Sequence, residues 1–246
     1  MSLRGANRSA VSDVAISAPI KNLLYQLCRV CSPFSARVSF FLLSSFILFS
    51  CSTSTPLATP QLVTVYSTSA AQPWLRDLYA CAAQQNNVAL SRIDDSSQAE
   101  ISLRVGEPEI LSSPSYQIDT EEILIVTHRT SPIQNLTLDE ARTLFAGQGD
   151  PSVQLWTYSS GEDVQEVFDQ VVMEGRSVSS SAWIAAHPQQ MSDTLVNEPN
   201  TVGILPRHWK MGDSRLVYTV PNIPVLAVTP NEPEGAVRDL IACLQK

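Results

Sequence analysis

The stretch from Leu136 to Phe168 constrains the fold of this chain more than any other segment. Thr137, followed three residues later by Glu140, forms a capping-box pattern that predicts the start of a short helix. Two glycines end this helix, and the apolar run Val153–Tyr158 then predicts a strand. The Ser-Ser-Gly turn at 159–161 leads from that strand to the start of a second helix. This alternation of helices and strands predicts an α/β architecture.

The same alternation runs through the chain from residue 61 onward. Apolar runs predict strands at Leu62–Tyr66, Val88–Ile93, Glu100–Val105, Tyr116–His128, Thr201–Leu205, Arg215–Val220 and Ile223–Thr229. Helical periodicity predicts helices at 71–85, at 183–195 with an interruption at His187-Pro188, and at 234–245. Strands alternating with helices of this length indicate mostly parallel sheets flanked by helices.

The first 51 residues have the pattern of an export leader. Val38–Ser50 is an uncharged, largely apolar run of 13 residues that follows Arg29 and Arg37. A membrane-spanning helix needs about 20 residues, so the run is better suited to the central part of a signal peptide. Leu48–Cys51 resembles the lipobox of bacterial lipoproteins, which makes Cys51 the expected lipidation site. The alternative is an anchor helix that is never cleaved, and both place the remainder outside the cytoplasm.

Charge and composition limit the partners of the remainder. The leader holds five of the 16 basic residues and one of the 24 acidic residues, so the rest of the chain has a net charge of −12. This excess of acid argues against binding to nucleic acid or to anionic lipid. Residues 52–60, rich in Ser, Thr and Pro, predict a tether without a packed structure.

Two cysteines fall within the part of the chain that is predicted to fold. Cys81 and Cys243 each lie in an apolar helical pattern. In an oxidising compartment they are able to form a disulfide that closes almost the whole mature chain. The alternative is a pair of buried free thiols that behave as small hydrophobic side chains.

Two apolar runs suggest how the folded part divides. Ile123–Val126 and Val225–Val228 are each followed by a polar stretch that contains proline. This pattern suits a pair of crossover strands between two lobes. Lobe one is then predicted to comprise residues 61–126 and 226–246, and lobe two residues 127–225.

Five short segments occur in a fixed order along the mature chain: Ser67-Thr68-Ser69, Ala99–Arg104, Leu136–Phe145, Tyr158–Glu162 and Val202–Pro206. Together they resemble the phosphate-type substrate-binding proteins of ABC transporters, which belong to the type II periplasmic-binding-protein superfamily. The resemblance implies a two-lobed α/β fold of that type.

In that family a small ligand lies between the lobes and is held by helix N-termini and hydroxyl groups. Arg104 is the candidate charge partner, because a guanidinium group holds an oxyanion with two hydrogen bonds. The ligand-binding residues that the resemblance implies are Thr68, Ser69, Arg104, Ser159, Ser160 and Gly161.

The chain departs from the family pattern at the start of the second helix. Glu162 stands where the family has a threonine, and Asp163 follows it. Carboxylates in the first turn satisfy the helix dipole that an anion would otherwise use. The ligand is therefore open among phosphate, another oxyanion, a cationic or neutral molecule, and no ligand at all.

The sequence thus predicts an exported, lipid-anchored solute-binding protein that captures a small ligand and presents it to an ABC permease. The alternative is a binding-protein-like sensor or interaction module at the cell surface that takes no part in transport. No enzyme, cofactor or metal site is predicted, because the three histidines are far apart and no nucleophile–base pair is recognisable.

Overall fold

The computed structural model describes residues 60–246. The predicted leader with Cys51, and the predicted tether apart from Pro60, lie outside the described residues. Within the described part, no helix combines the length and the apolar character that a membrane crossing requires.

Residues 60–246 contain eight strands and five α-helices, besides three short helical segments of other types. The strands are β1 (Gln61–Ser67), β2 (Val88–Arg92), β3 (Ile101–Val105), β4 (Ser115–Thr127), β5 (Gln154–Thr157), β6 (Trp183–Ile184), β7 (Thr201–Pro206) and β8 (Arg215–Val228). The helices are α1 (Gln72–Ala83), α2 (Leu138–Thr143), α3 (Asp163–Val171), α4 (Pro188–Asn197) and α5 (Gly235–Leu244).

The strands form one mixed sheet in the order β2-β1-β3-β8-β4-β7-β5-β6. Pairing is parallel at both ends of this order, between β1 and its neighbours β2 and β3 and between β5 and its neighbours β6 and β7. It is antiparallel in the centre, where the long strands β4 and β8 pair with each other and with β7 and β3. The predicted α/β class is therefore confirmed, with four of seven pairings parallel. The lobe boundaries remain a prediction.

The capping box at the start of α2 is formed as predicted. The Thr137 hydroxyl accepts the Glu140 backbone N–H at 3.3 Å, and the Glu140 carboxylate accepts the Thr137 N–H at 2.7 Å. The helical path loses its regularity at Gly147, whose φ of +78° lies in the left-handed region that glycine adopts without strain.

The helix predicted from Trp183 is wrong in its first half. Trp183 and Ile184 form the edge strand β6 beside β5, and α4 begins only at Pro188. Proline is tolerated in the first turn of a helix. The His187 side chain accepts the Gln190 N–H and so caps the helix at that point.

The two strands predicted after residue 215 are two paired stretches of one strand, β8. Val220 pairs with Ile123 and Ile223 pairs with Glu121, so the register shifts between these pairs. Asn222 lies in this irregularity with a φ of +58°. The polar, proline-containing break was visible in the sequence, but the strand continues through it.

Buried aromatic side chains from α3 and from the segment directly after α2 pack together in the core. Phe145 and Phe168 are fully buried, and their rings meet edge to face with centroids 4.7 Å apart. Near the two ends of the described sequence, α1 packs on α5, and a disulfide joins Cys81 of α1 to Cys243 of α5. Of the two alternatives for these cysteines, the structure contains the bridge.

Candidate functional site

The turn that follows β1 meets the start of α3. The Thr68 hydroxyl donates to Asp163 Oδ2 at 2.6 Å. The Ser69 hydroxyl donates to Glu162 Oε2 at 2.9 Å. Two of the predicted ligand-binding residues are therefore placed at a contact between distant parts of the chain, and their partners there are carboxylates of the same chain.

Asp163 is the centre of this contact. Its side chain is 2% exposed. Besides the Thr68 hydroxyl, Oδ2 accepts the backbone N–H of Val105 at 2.8 Å, and Oδ1 accepts the N–H of Val164 at 2.9 Å. A hydroxyl and a backbone N–H that converge on one carboxylate oxygen form the donor set that a small oxyanion would use. In this structure both donors are bound to the Asp163 carboxylate.

Burial raises the pKa of Asp163, while its hydrogen bonds and the charge of Arg104 oppose that rise. A raised pKa means that the folded state binds the proton more tightly than the unfolded chain does. The contribution of Asp163 to stability is therefore largest at acid pH, and it decreases as the pH rises from the ordinary value of 3.8 through the raised pKa.

Arg104 is also bound to α3. Its Nη2 lies 2.7 Å from Glu166 Oε2, and its Nε donates to the backbone oxygen of Gly106 at 3.0 Å. Glu166 lies one helical turn beyond Glu162 and Asp163, so the three carboxylates lie on one side of the start of α3. Their partners are Ser69, Thr68 and Arg104. We name this set, with Thr68, Ser69 and Arg104 on one side and Glu162, Asp163 and Glu166 on the other, the acidic contact.

Gly106 brings the backbone after β3 against α3. Its φ is +77°, and a Cβ added there would lie 2.1 Å from Cγ2 of Val167. Only glycine permits an approach this close in this conformation. The acidic contact is therefore bordered by a tightly packed surface.

The other three predicted residues, Ser159, Ser160 and Gly161, belong to the β5–α3 turn itself. The Ser159 carbonyl accepts the Glu162 N–H at 2.9 Å, Ser160 lines a separate cavity, and Gly161 is exposed. Among residues 60–246, the structure gives neither serine a side-chain hydrogen bond to Thr68 or Ser69. The contacts with Thr68 and Ser69 come from Glu162 and Asp163, immediately after this turn, and the ligand-binding roles of Ser159, Ser160 and Gly161 remain a prediction.

Two tyrosines near the acidic contact were not predicted. The Tyr158 hydroxyl is buried and has no hydrogen-bond partner within the described part of the chain. Burial raises the pKa of Tyr158 well above its usual value, with smaller contributions from Asp163 and Glu162. Burial also raises the pKa of Tyr66, and the same two carboxylates add to the effect. The available signal was their position, because each directly precedes a predicted binding turn.

A second set of contacts lies near the N-terminus of α1. The Trp209 indole donates to the backbone oxygen of Ala70 at 3.0 Å. The Trp74 ring meets the His208 ring edge to face, with ring centroids 4.6 Å apart. His208 Nδ1 lies 2.8 Å from Glu121 Oε2. These contacts hold the turn after β7 against the start of α1.

No group of three or more His, Cys, Asp or Glu side chains in residues 60–246 has an arrangement suited to a metal ion.

Comparison with known proteins shows similarity in structure only. No protein-family model matches the chain, and no curated protein matches its sequence. A structure described as a phosphate ABC transporter substrate-binding protein with bound phosphate, from Clostridium perfringens, matches with a TM-score of 0.65 at 13% identity. That match covers 75% of this chain and 93% of the other. An ABC-type phosphate transport receptor from Vibrio cholerae matches with a TM-score of 0.56 at 13% identity, over 75% of this chain and 93% of its own.

A regulatory protein shares the same fold. A mutant OxyR2 regulatory domain from Vibrio vulnificus, with sulfate bound, matches with a TM-score of 0.57 at 10% identity, over 77% of this chain and 95% of its own. The chain therefore has the two-lobed type II periplasmic-binding-protein fold. The resemblance noted in the sequence is confirmed at the level of fold, and these three neighbours are binding and regulatory proteins.

Proposed function

We propose that this chain is an exported, lipid-anchored protein that captures a small ligand between two lobes and presents it to an ABC transporter. The fold supports this proposal, because two neighbours in structure are described as phosphate substrate-binding proteins or receptors. The lipobox-like segment Leu48–Cys51 supports export and anchoring outside the cytoplasm.

The observation that carries ligand capture is the convergence of Thr68 Oγ1 and Val105 N on one oxygen of Asp163, at 2.6 and 2.8 Å. This donor set has the chemistry of an oxyanion site. In our proposal, an external oxyanion such as phosphate replaces the Asp163 carboxylate when the lobes separate. Because the carboxylate belongs to the same chain, it competes at a high effective concentration. The wild-type protein should therefore bind free phosphate weakly.

A specific observation favours a second candidate, a sensor or interaction module that takes no part in transport. The Arg104–Glu166 ion pair and the close approach of Gly106 to Val167 also join the same surfaces. In this second candidate the acidic contact is permanent, and it serves to fix the relative position of the elements it joins.

Removing the internal carboxylate distinguishes the two candidates. The full chain and its Asp163→Ser variant are titrated with phosphate and, separately, with sulfate, while the melting temperature is followed. Asp193→Ser on α4, where the carboxylate is exposed, is the matched control. At a ligand concentration about 100-fold above Kd, bound ligand stabilises by about 2.7 kcal/mol, which corresponds to a rise of about 5 °C or more for a domain of this size.

The capture proposal predicts a clear rise for Asp163→Ser and a smaller one for the wild type and the control. If neither anion stabilises Asp163→Ser, capture of an oxyanion at the acidic contact is wrong and the second candidate is favoured.

A further inference from the structure

A cavity of about 520 Å³ lies beside α3, between this helix and the segment that leads into β6. Thr157 and Ser160 line it from the end of β5, Asp169 from α3, and Arg176 from the following segment. Thr68, Ser69 and Arg104 do not line it. The cavity is therefore distinct from the acidic contact, although both are next to the β5–α3 turn. Its volume is typical of a site for a small organic molecule.

The two charged side chains of this cavity have opposite signs. Within the described part of the chain, neither Asp169 nor Arg176 takes part in an ion pair. Burial raises the pKa of Asp169, as expected for a carboxylate that no neighbouring cation stabilises. Two residues of opposite charge, neither of them ion-paired within residues 60–246, thus line the same cavity.

A buried amide holds Asp169 in place. Gln165 is 4% exposed, and its Nε2 donates to Asp169 Oδ1 at 2.8 Å. The other end of the amide, Oε1, accepts the backbone N–H of Tyr158 at 3.0 Å. Since both ends of Gln165 are bound, Asp169 presents its remaining oxygen from a fixed position.

The wall opposite α3 supplies donors. Arg176 follows Gly175, which has a φ of +78° and turns the chain at the end of the segment after α3. Arg176 is exposed and is one of the residues that line the cavity. Serines at positions 160, 177, 179 and 180 also line the cavity. The lining therefore combines one cation, one anion and several neutral hydrogen-bonding groups.

We propose that this cavity binds a small zwitterion of the free amino acid class, with the ligand carboxylate on Arg176 and its ammonium group on Asp169. An anion or a cation alone would leave one of the two protein charges without a partner, whereas a zwitterion satisfies both. A ligand without net charge also avoids repulsion by the folded part, which carries a net charge of −12 outside the leader. The proposal does not depend on ligand capture at the acidic contact.

Calorimetric titration of the full chain tests it, with L-alanine and L-glutamine as probes. Acetate and methylammonium, each of which carries one of the two charges, are titrated under the same conditions. We expect one or both amino acids to bind and neither single-charge compound to do so at concentrations up to about 10 mM, well above a millimolar Kd. Absence of binding by both amino acids in this range overturns the proposal, and so does equal binding of either single-charge compound.

Two variants assign the binding to this cavity. Arg176→Gln and Asp169→Asn should each weaken binding of the amino acid by about tenfold or more, because each removes one charge-assisted hydrogen bond. Arg238→Gln on α5, an exposed arginine outside the cavity lining, should leave the affinity unchanged. Because Asp169 also contacts buried Gln165, circular dichroism checks that the Asp169→Asn variant folds. If it does not fold, the Arg176→Gln variant, at an exposed position, provides the test. Unchanged affinity in Arg176→Gln overturns the assignment.

Discussion

Replacing Asp163 by alanine should destabilise the protein by about 3 kcal/mol at neutral pH. The carboxylate accepts three hydrogen bonds, and one donor, the N–H of Val105, belongs to a fully buried residue. A buried donor without an acceptor costs about 1–3 kcal/mol, and each of the other two bonds contributes about 1 kcal/mol. Relief of the desolvated charge offsets part of this loss. Asp163→Asn keeps one acceptor oxygen and should cost about 1 kcal/mol.

Urea denaturation followed by circular dichroism measures these differences, with the exposed Asp193→Ala variant as the control. The raised pKa of Asp163 adds a second readout. As the pH falls through this raised pKa towards the ordinary value of 3.8, the folded wild type takes up a proton before the unfolded chain does, so it should gain stability relative to Asp163→Asn. A loss below about 0.5 kcal/mol in Asp163→Ala, within the range of ordinary surface substitutions, would refute the reasoning. So would identical pH dependence of the wild type and Asp163→Asn.

Three further predictions concern contacts elsewhere in the chain. Reducing the Cys81–Cys243 disulfide, which links residues 162 positions apart, should lower the free energy of unfolding by up to about 5 kcal/mol, because the unfolded chain gains conformational freedom. Calorimetry with and without reductant measures this loss, and an unchanged melting temperature would show that the bridge is absent. Gly106→Ala should destabilise by about 2 kcal/mol or more, because of its positive φ and the contact with Val167, and adding Val167→Ala should restore only the part due to the clash; full stability of the single variant in urea denaturation would contradict this. Arg104→Gln and Glu166→Gln should show a coupling energy of about 0.5–1.5 kcal/mol that decreases with salt, and purely additive effects on urea unfolding would show that the pair is not formed.

The sequence predicted the elements whose signals are local. The capping box at Thr137 and Glu140 is formed, and each of the four apolar runs between residues 61 and 127 forms one of the strands β1 to β4. The strand β6 was missed because its two residues are held by pairing with β5, a contact that no local pattern reports. Tertiary pairing of this kind overrides the helical periodicity that the same residues show.

The site shows the same limit. The turns at 68–69 and 159–161 were identified from short motifs, and the acidic residues at 162–163 were recognised as a departure from the family pattern. What the sequence did not show was that these carboxylates bind Thr68 and Ser69 directly. That result depends on how closely α3 approaches the turn after β1, which is a property of the packed structure.

The central claim is that the hydrogen bond from Thr68 to Asp163 holds the acidic contact together. A double-mutant cycle with Thr68→Val and Asp163→Ala tests this most directly, because valine has the shape of threonine without its hydroxyl. For a buried hydroxyl–carboxylate bond of 2.6 Å we predict a coupling energy of about 1–3 kcal/mol in the free energy of unfolding. Additive effects, with a coupling energy below about 0.3 kcal/mol, would contradict the claim.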